Sequence, residues 1–174
     1  MLSGIFNFVH KTNKISLSER QDIAEHRQRM GDWEGDTVFG QDAYLVTLVD
    51  RKSRLTLIGK VSNKTATTVA NEMISLLKRV DTVNGGEFAH HKAVAKVANT
   101  DIYFAKLYAS YQRGTNENMN DIIRRSWPKK MKLSKLSNED IQNMELRLNT
   151  MPRKVLGGLT AIEVYTGKRV ALIT

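Results

Sequence analysis

The chain has 174 residues, 41% of them hydrophobic and 26% charged, which is the balance of a folded domain with its own core and not of a disordered tail. It contains no cysteine, excluding disulfides and thiolate metal sites, and no apolar run near the ~20 residues that span a bilayer. Its 27 Lys and Arg against 18 Asp and Glu leave +9 at pH 7, which points either to a polyanionic partner such as nucleic acid or to a solubilising surface.

Residues 1–31 read as a lead-in segment. The opening "MLSGIFNFVHK" is mildly apolar but lacks a basic leader and a long apolar middle, so no signal peptide is expected and an intracellular protein is the default. "SLSERQDIAEHRQRM" is a weakly helical stretch with a Ser cap. From residue 32 to 174 the pattern is that of one domain. "WEGDTVFG" reads as a strand ending at Gly40, followed by two β-rich runs, Ala43 to Asp50 and Arg54 to Val61, joined by the turn "RKS". Together they predict a three-stranded antiparallel meander.

The period then changes. Val69, Met73, Leu76, Leu77 and Val80 form the apolar stripe of a helix lying on a sheet. A short strand around Asp81 to Val83 is expected next, closed by the "NGG" turn. "FAHHKAVAKVAN" reads as a helix and "TDIYFAK" as a strand. "TNENMNDIIRRSW" is another helix, with Thr115 or Asn116 as its cap. "SNEDIQNMELRLNT" is a further helix, opened by a Ser-x-x-Asp capping signal and stopped before Pro152. The order β-β-β-α-β-α-β-α-α predicts an α/β domain of the RNase H-like class, a mixed five-stranded sheet flanked by helices.

Two acids fall where this layout converges. Asp36 lies on the first strand, and Glu117 lies near the start of the helix after the last strand. Asn120, Asp121 and Arg124 share the face of Glu117, while Met119, Ile122 and Ile123 look elsewhere. Clustered carboxylates suit hard divalent cations, and two ions roughly 4 Å apart serve phosphodiester chemistry. Taken alone, two isolated acids read more readily as ordinary surface charge.

"GDWEGDTVFG", "LVTLVDRKSRLTLIGKV", "NGGEF", "YASYQRGTNENMN" and "LNTMPRKVLGGLTAIEVY", in that order between about Ile15 and Tyr165, resemble the catalytic core of DDE-type insertion-sequence transposases, in the branch named after insertion sequence thirty. The resemblance implies a retroviral-integrase-like core, two Mg²⁺ or Mn²⁺ ions in an intact member, DNA strand cleavage and transfer at transposon ends, and self-association. It places the first catalytic, metal-binding aspartate at Asp36 and the glutamate at Glu117. The second aspartate belongs at residue 83, which is Val83, with the family's spacing of 33 residues before Glu117 kept. Activity of this copy is therefore expected to be impaired. Asp81 is the available substitute, but on a strand it would stand about 6.5–7 Å along the chain.

Further departures point the same way. Met151 replaces an arginine usual in the family, Asp121 replaces a small residue, and the lead-in is shorter than the family's DNA-end-recognition domain. Arg113 and Asn116 are expected to line the site. Arg124, Arg125, Lys129, Lys130, Lys132, Arg153 and Lys154 are the candidate contacts to DNA, each giving salt-dependent affinity without sequence preference. The rival reading for these cations is a solvated basic face. Trp33 and Trp127 are expected to pack rather than stack on bases, and Asp50 to serve the turn it enters. DNA as partner, no membrane, and a cytoplasmic, nucleoid-associated location complete the expectation, with a non-catalytic DNA-binding or oligomerising remnant as the alternative function.

Overall fold

The structure, a computed structural model, describes residues 26–28, 30–83 and 114–169. Three strands, β1 (Trp33–Phe39), β2 (Tyr44–Asp50) and β3 (Thr56–Val61), form an antiparallel sheet in that order. Asp36, Thr47 and Ile58 stand opposite one another across it. Helix α1 (Ala66–Val83) is followed among the described residues by α2 (Gly114–Ser126), α3 (Asn138–Thr150) and the short α4 (Ala161–Thr166). The expected helix at Phe88 to Asn99 and strand at Thr100 to Lys106 lie outside the described residues.

Strand alternation sends the two sheet faces into separate cores. Val46, Leu48, Leu57 and Val61 pack with Met73, Leu76, Leu77 and Val80 of α1, with Trp33 and Tyr165 of α4 at the margin. On the opposite face Val38, Leu45 and Ile58 pack with Ile123 of α2, Trp127, Leu133, and Ile141, Met144 and Leu148 of α3. The meander, the α1 stripe and the packing of Trp33 and Trp127 agree with the sequence expectation.

Three expectations need correction. Asp81 to Val83 is not a strand: α1 runs through Val83, because a helix once nucleated extends until a breaker, and the first one in sequence is "NGG". The contrast drawn between strand positions 81 and 83 lapses with it. Helix α2 begins at Gly114, so Thr115 and Asn116 sit in its first turn and do not cap it. Helix α4 was not anticipated, although Thr160 and Glu163 form a capping box, with the Glu163 N–H donating to Thr160 Oγ1 at 3.2 Å and the Thr160 N–H to Glu163 Oε2 at 2.9 Å. The Ser137–Asp140 box of α3 is formed as expected.

Helix α3 also seals the open edge of β3. The N–H groups of Thr56 and Ile58 point away from β2, and two side chains one helical turn apart meet them. Asn149 Oδ1 accepts from the Thr56 N–H at 2.8 Å while its Nδ2 donates to the Thr56 carbonyl at 2.7 Å. Glu145 Oε2 accepts from the Ile58 N–H at 2.8 Å, and Oε1 holds Arg79 of α1 at 2.6 Å. Side chains of a helix thus replace a neighbouring strand, which leaves no edge for another chain to pair with at these positions. At the other end of the sheet Gly40 is required: a Cβ there would lie 2.3 Å from Leu133, which is fully buried.

The lead-in is tied to the β2–β3 turn by a buried polar cluster. Asp50, fully buried, accepts from the Gly31 N–H, the Ser53 N–H and the Ser53 hydroxyl, each at 2.7 Å. Arg51 pairs with Glu34 in the interior. Burial pushes the Asp50 carboxyl above its usual range and outweighs the hydrogen bonds that lower it. Burial also brings the Arg54 guanidinium down to about 10.

Two predictions follow from these contacts. Asn149→Ala leaves the Thr56 N–H and carbonyl buried without partners and is expected to cost about 3 kcal/mol in urea unfolding. Asp50 has a raised folded pKa, so its contribution to stability is full below the ordinary carboxylate value and is lost as pH rises through the folded value. In Asp50→Asn that loss disappears, and unfolding free energies measured from pH 4 to 7 are expected to fall less steeply than in the unsubstituted chain.

Candidate functional site

Asp36 is half-buried at the middle of β1. Its carboxylate is held from two sides: Oδ1 accepts from the Thr37 N–H at 2.8 Å, and Oδ2 accepts from Asn120 Nδ2 at 2.9 Å. Asn120 belongs to α2, which lies over β1 and β2 because Met119 and Ile123 are buried beneath it (2% and 0% exposed). The polar side of α2 then faces outward along the same edge. A cleft of about 410 Å³ opens there, lined by Thr37, Val38, Glu117, Asn120, Asp121, Arg124 and Lys129.

Glu117 and Asn120 line the cleft, and Asn120, one turn further along α2, donates to Asp36, which is not itself in the lining. Glu117 is exposed in the first turn of α2, where the helix dipole favours an anion. Arg124 and Lys129 bring positive charge to the same cleft. The Arg124 Nη1 is buried with no hydrogen-bond partner, and burial lowers the guanidinium below its usual range. A partly desolvated guanidinium beside an open cleft favours an anion there.

The remaining expected residues divide. Arg125, Lys130, Lys132 and Lys154 are exposed but do not line the cleft. Arg153 is buried at 7% exposure and donates through Nη2 to the Leu148 carbonyl at 2.7 Å; it closes the end of α3, which corrects its reading as a DNA contact. Asn116 is also buried, at 0% exposure, and neither Oδ1 nor Nδ2 has a hydrogen-bond partner, so it does not line the cleft either. Arg113 lies outside the described residues. Asp81 and Val83 are placed only as positions in the last turn of α1.

Two contributors were missed in the sequence. Asn120 had been placed on the face of Glu117 without a role, and Thr47 had not been singled out. The available signals were the i+3 spacing from Glu117 and a polar residue inside the apolar run "YLVTLV".

The fold is of the RNase H-like class. It matches a chain of the simian T-cell lymphotropic virus intasome, solved by cryo-electron microscopy in complex with the PP2A regulatory subunit B56 gamma, with a TM-score of 0.50 at 16% identity over 82% of this chain and 56% of that one. In sequence the chain is 37% identical over 161 residues to the transposase for insertion sequence element IS4351 of Bacteroides fragilis, covering 87% of this chain and 49% of that protein. It is 33% identical over 170 residues to transposase InsI for insertion sequence element IS30A of Escherichia coli K12, covering 92% and 44%. No protein-family model matches. Over most of its length the chain is thus similar to insertion-sequence transposases, and it spans about half the length of the curated relatives it matches. Among the described residues no helix is long and apolar enough to cross a membrane.

Burying an unpartnered amide costs stability. Asn116→Leu, of similar volume, is expected to raise the unfolding free energy by about 1 kcal/mol in urea titrations. A loss of similar size would mean that the amide is hydrogen-bonded in solution.

Proposed function

We propose that this chain is a transposase catalytic domain acting on DNA phosphodiesters at transposon ends and target. The observation that supports this best is the Asn120 bridge, which ties Asp36 to the helix that carries Glu117 into the cleft. Asp36 and Glu117 are the residues that would hold Mg²⁺ or Mn²⁺. Their donor set is all oxygen, which suits these hard ions. Among the described residues no three His, Cys, Asp or Glu side chains are grouped closely enough to hold an ion. Two carboxylates fit one loosely held ion, short of the two that an intact relative would carry. When bound, such ions activate the attacking oxygen and stabilise the leaving one.

The chain's own part is positioning. Asn120 fixes the Asp36 carboxylate, and Arg124 with Lys129 attract the phosphate to the cleft. Arg125, Lys130, Lys132 and Lys154 extend the basic surface that tracks the backbone, with affinity that falls as salt rises. Asp121, in the cleft one turn from Glu117, opposes the phosphate and weakens this attraction. Val83 leaves the site one carboxylate short, so this copy is impaired. The domain self-associates on DNA and works in the cytoplasm at the nucleoid.

The second reading, a non-catalytic DNA-binding or oligomerising remnant, draws on the same Val83 together with the exposed lysines. Restoring the carboxylate separates the two. Val83→Asp is expected to raise Mg²⁺-dependent cleavage and joining of transposon-end oligonucleotides at least about tenfold over the unsubstituted chain. Unchanged silence in Val83→Asp, with DNA binding retained, favours the remnant. Robust cleavage by the unsubstituted chain overturns the impairment.

A further inference from the structure

The cross-strand neighbour of Asp36 is Thr47. It is fully buried, on the sheet face where Val38, Leu45 and Ile58 make the core under α2 and α3. A valine would fill the same space without a hydroxyl to satisfy. The Thr47 hydroxyl lies 3.3 Å from Asn120 Oδ1 and 3.4 Å from the Asp36 backbone oxygen. Asn120 in turn donates through Nδ2 to Asp36 Oδ2 at 2.9 Å.

The polarity of this chain of bonds is fixed by chemistry. An ionised carboxylate only accepts, so Asp36 demands the NH₂ end of Asn120. The amide oxygen then faces Thr47, whose single proton serves it and the Asp36 carbonyl together. At these lengths each half of a shared bond is weak, so the hydroxyl contributes little to stability. What it supplies is direction: it holds the amide in the one orientation that keeps a donor against Asp36.

We propose that Thr47 is a positioning residue for Asp36, acting through Asn120 and touching neither substrate nor metal. The inference rests on the catalytic reading for its metal consequence, whereas the relay itself stands on the hydrogen bonds. Partners one step removed from a metal ligand orient it, and their loss weakens metal binding more than it weakens the fold.

The test uses the full ¹⁵N-labelled chain as wild type, Thr47→Val, Thr47→Ser, and Asn120→Ala to assign the amide signal. Three quantities are read: solvent exchange of the Asn120 side-chain NH₂ by NMR, Mn²⁺ affinity from the free-ion EPR signal, and the urea midpoint. Thr47→Val is expected to exchange several-fold faster and to bind Mn²⁺ about tenfold more weakly, with its midpoint equal or higher. Thr47→Ser is expected to keep both wild-type values. Unchanged amide exchange in Thr47→Val overturns the proposal, and so does a fall in midpoint matching the other losses, since that is a packing role. If wild type takes up no Mn²⁺ that Asp36→Asn abolishes, the metal reading fails, and amide exchange alone decides the relay.

Discussion

A half-buried carboxylate in the middle of a strand is the constraint around which this domain is arranged. Asp36 cannot be surrendered to the core without partners, because an unpaired buried charge costs several kcal/mol. It cannot be fully solvated either, since α2 crosses β1 directly above it. The Asn120 amide resolves the conflict by donating to one oxygen, with the Thr37 N–H donating to the other. Burial of Met119 and Ile123 seats α2 over the sheet, the bridge forms within that packing, and Glu117 is left exposed. Packing and polarity thus meet on one helix: its apolar side is buried, Asn120 satisfies the strand carboxylate, and Glu117 lines the cleft.

The rest of the described fold keeps that geometry rigid. Two cores clamp the sheet from both faces, and α3 fixes the β3 edge through backbone-matching side chains as well as apolar contact. The β2–β3 turn, held by Asp50, and the Gly40–Leu133 contact secure the two ends. For the proposed chemistry such rigidity matters, because charges placed in advance need not reorganise when a phosphate arrives. The cleft lining carries both signs, Glu117 and Asp121 together with Arg124 and Lys129. On the proposed reading the cations serve the phosphodiester oxygens and the acids a metal ion.

Much of this was legible in the sequence, for reasons that differ by element. The meander was readable because alternation and β-branched residues agree from Trp33 to Val61, and α1 because its stripe has a single period. Helix α3 announced itself through Ser137 and Asp140. The end of α1 was misread because Thr82 and Val83 favour strands locally, whereas helix continuity up to the next breaker decides the matter. Arg153 and Lys154 look alike in a basic tripeptide. Their fates diverge only because the chain turns back at Gly157 and Gly158, burying the first against Leu148. Asp36 and Glu117 could be proposed as site acids from motif and spacing. Thr47 could not, since a threonine in a strand is ordinary until a helix brings Asn120 over it.

The buried polar groups bear on what residue 83 means. Thr47, Asn116 and the Glu34–Arg51 pair sit where apolar residues of similar volume would serve folding at least as well. Under a demand for stability alone, these are the positions that substitution to leucine or valine improves first. On the proposed reading, these polar groups and the Asp36–Asn120 bridge belong to the scaffold of a charged site in which residue 83 supplies no carboxylate.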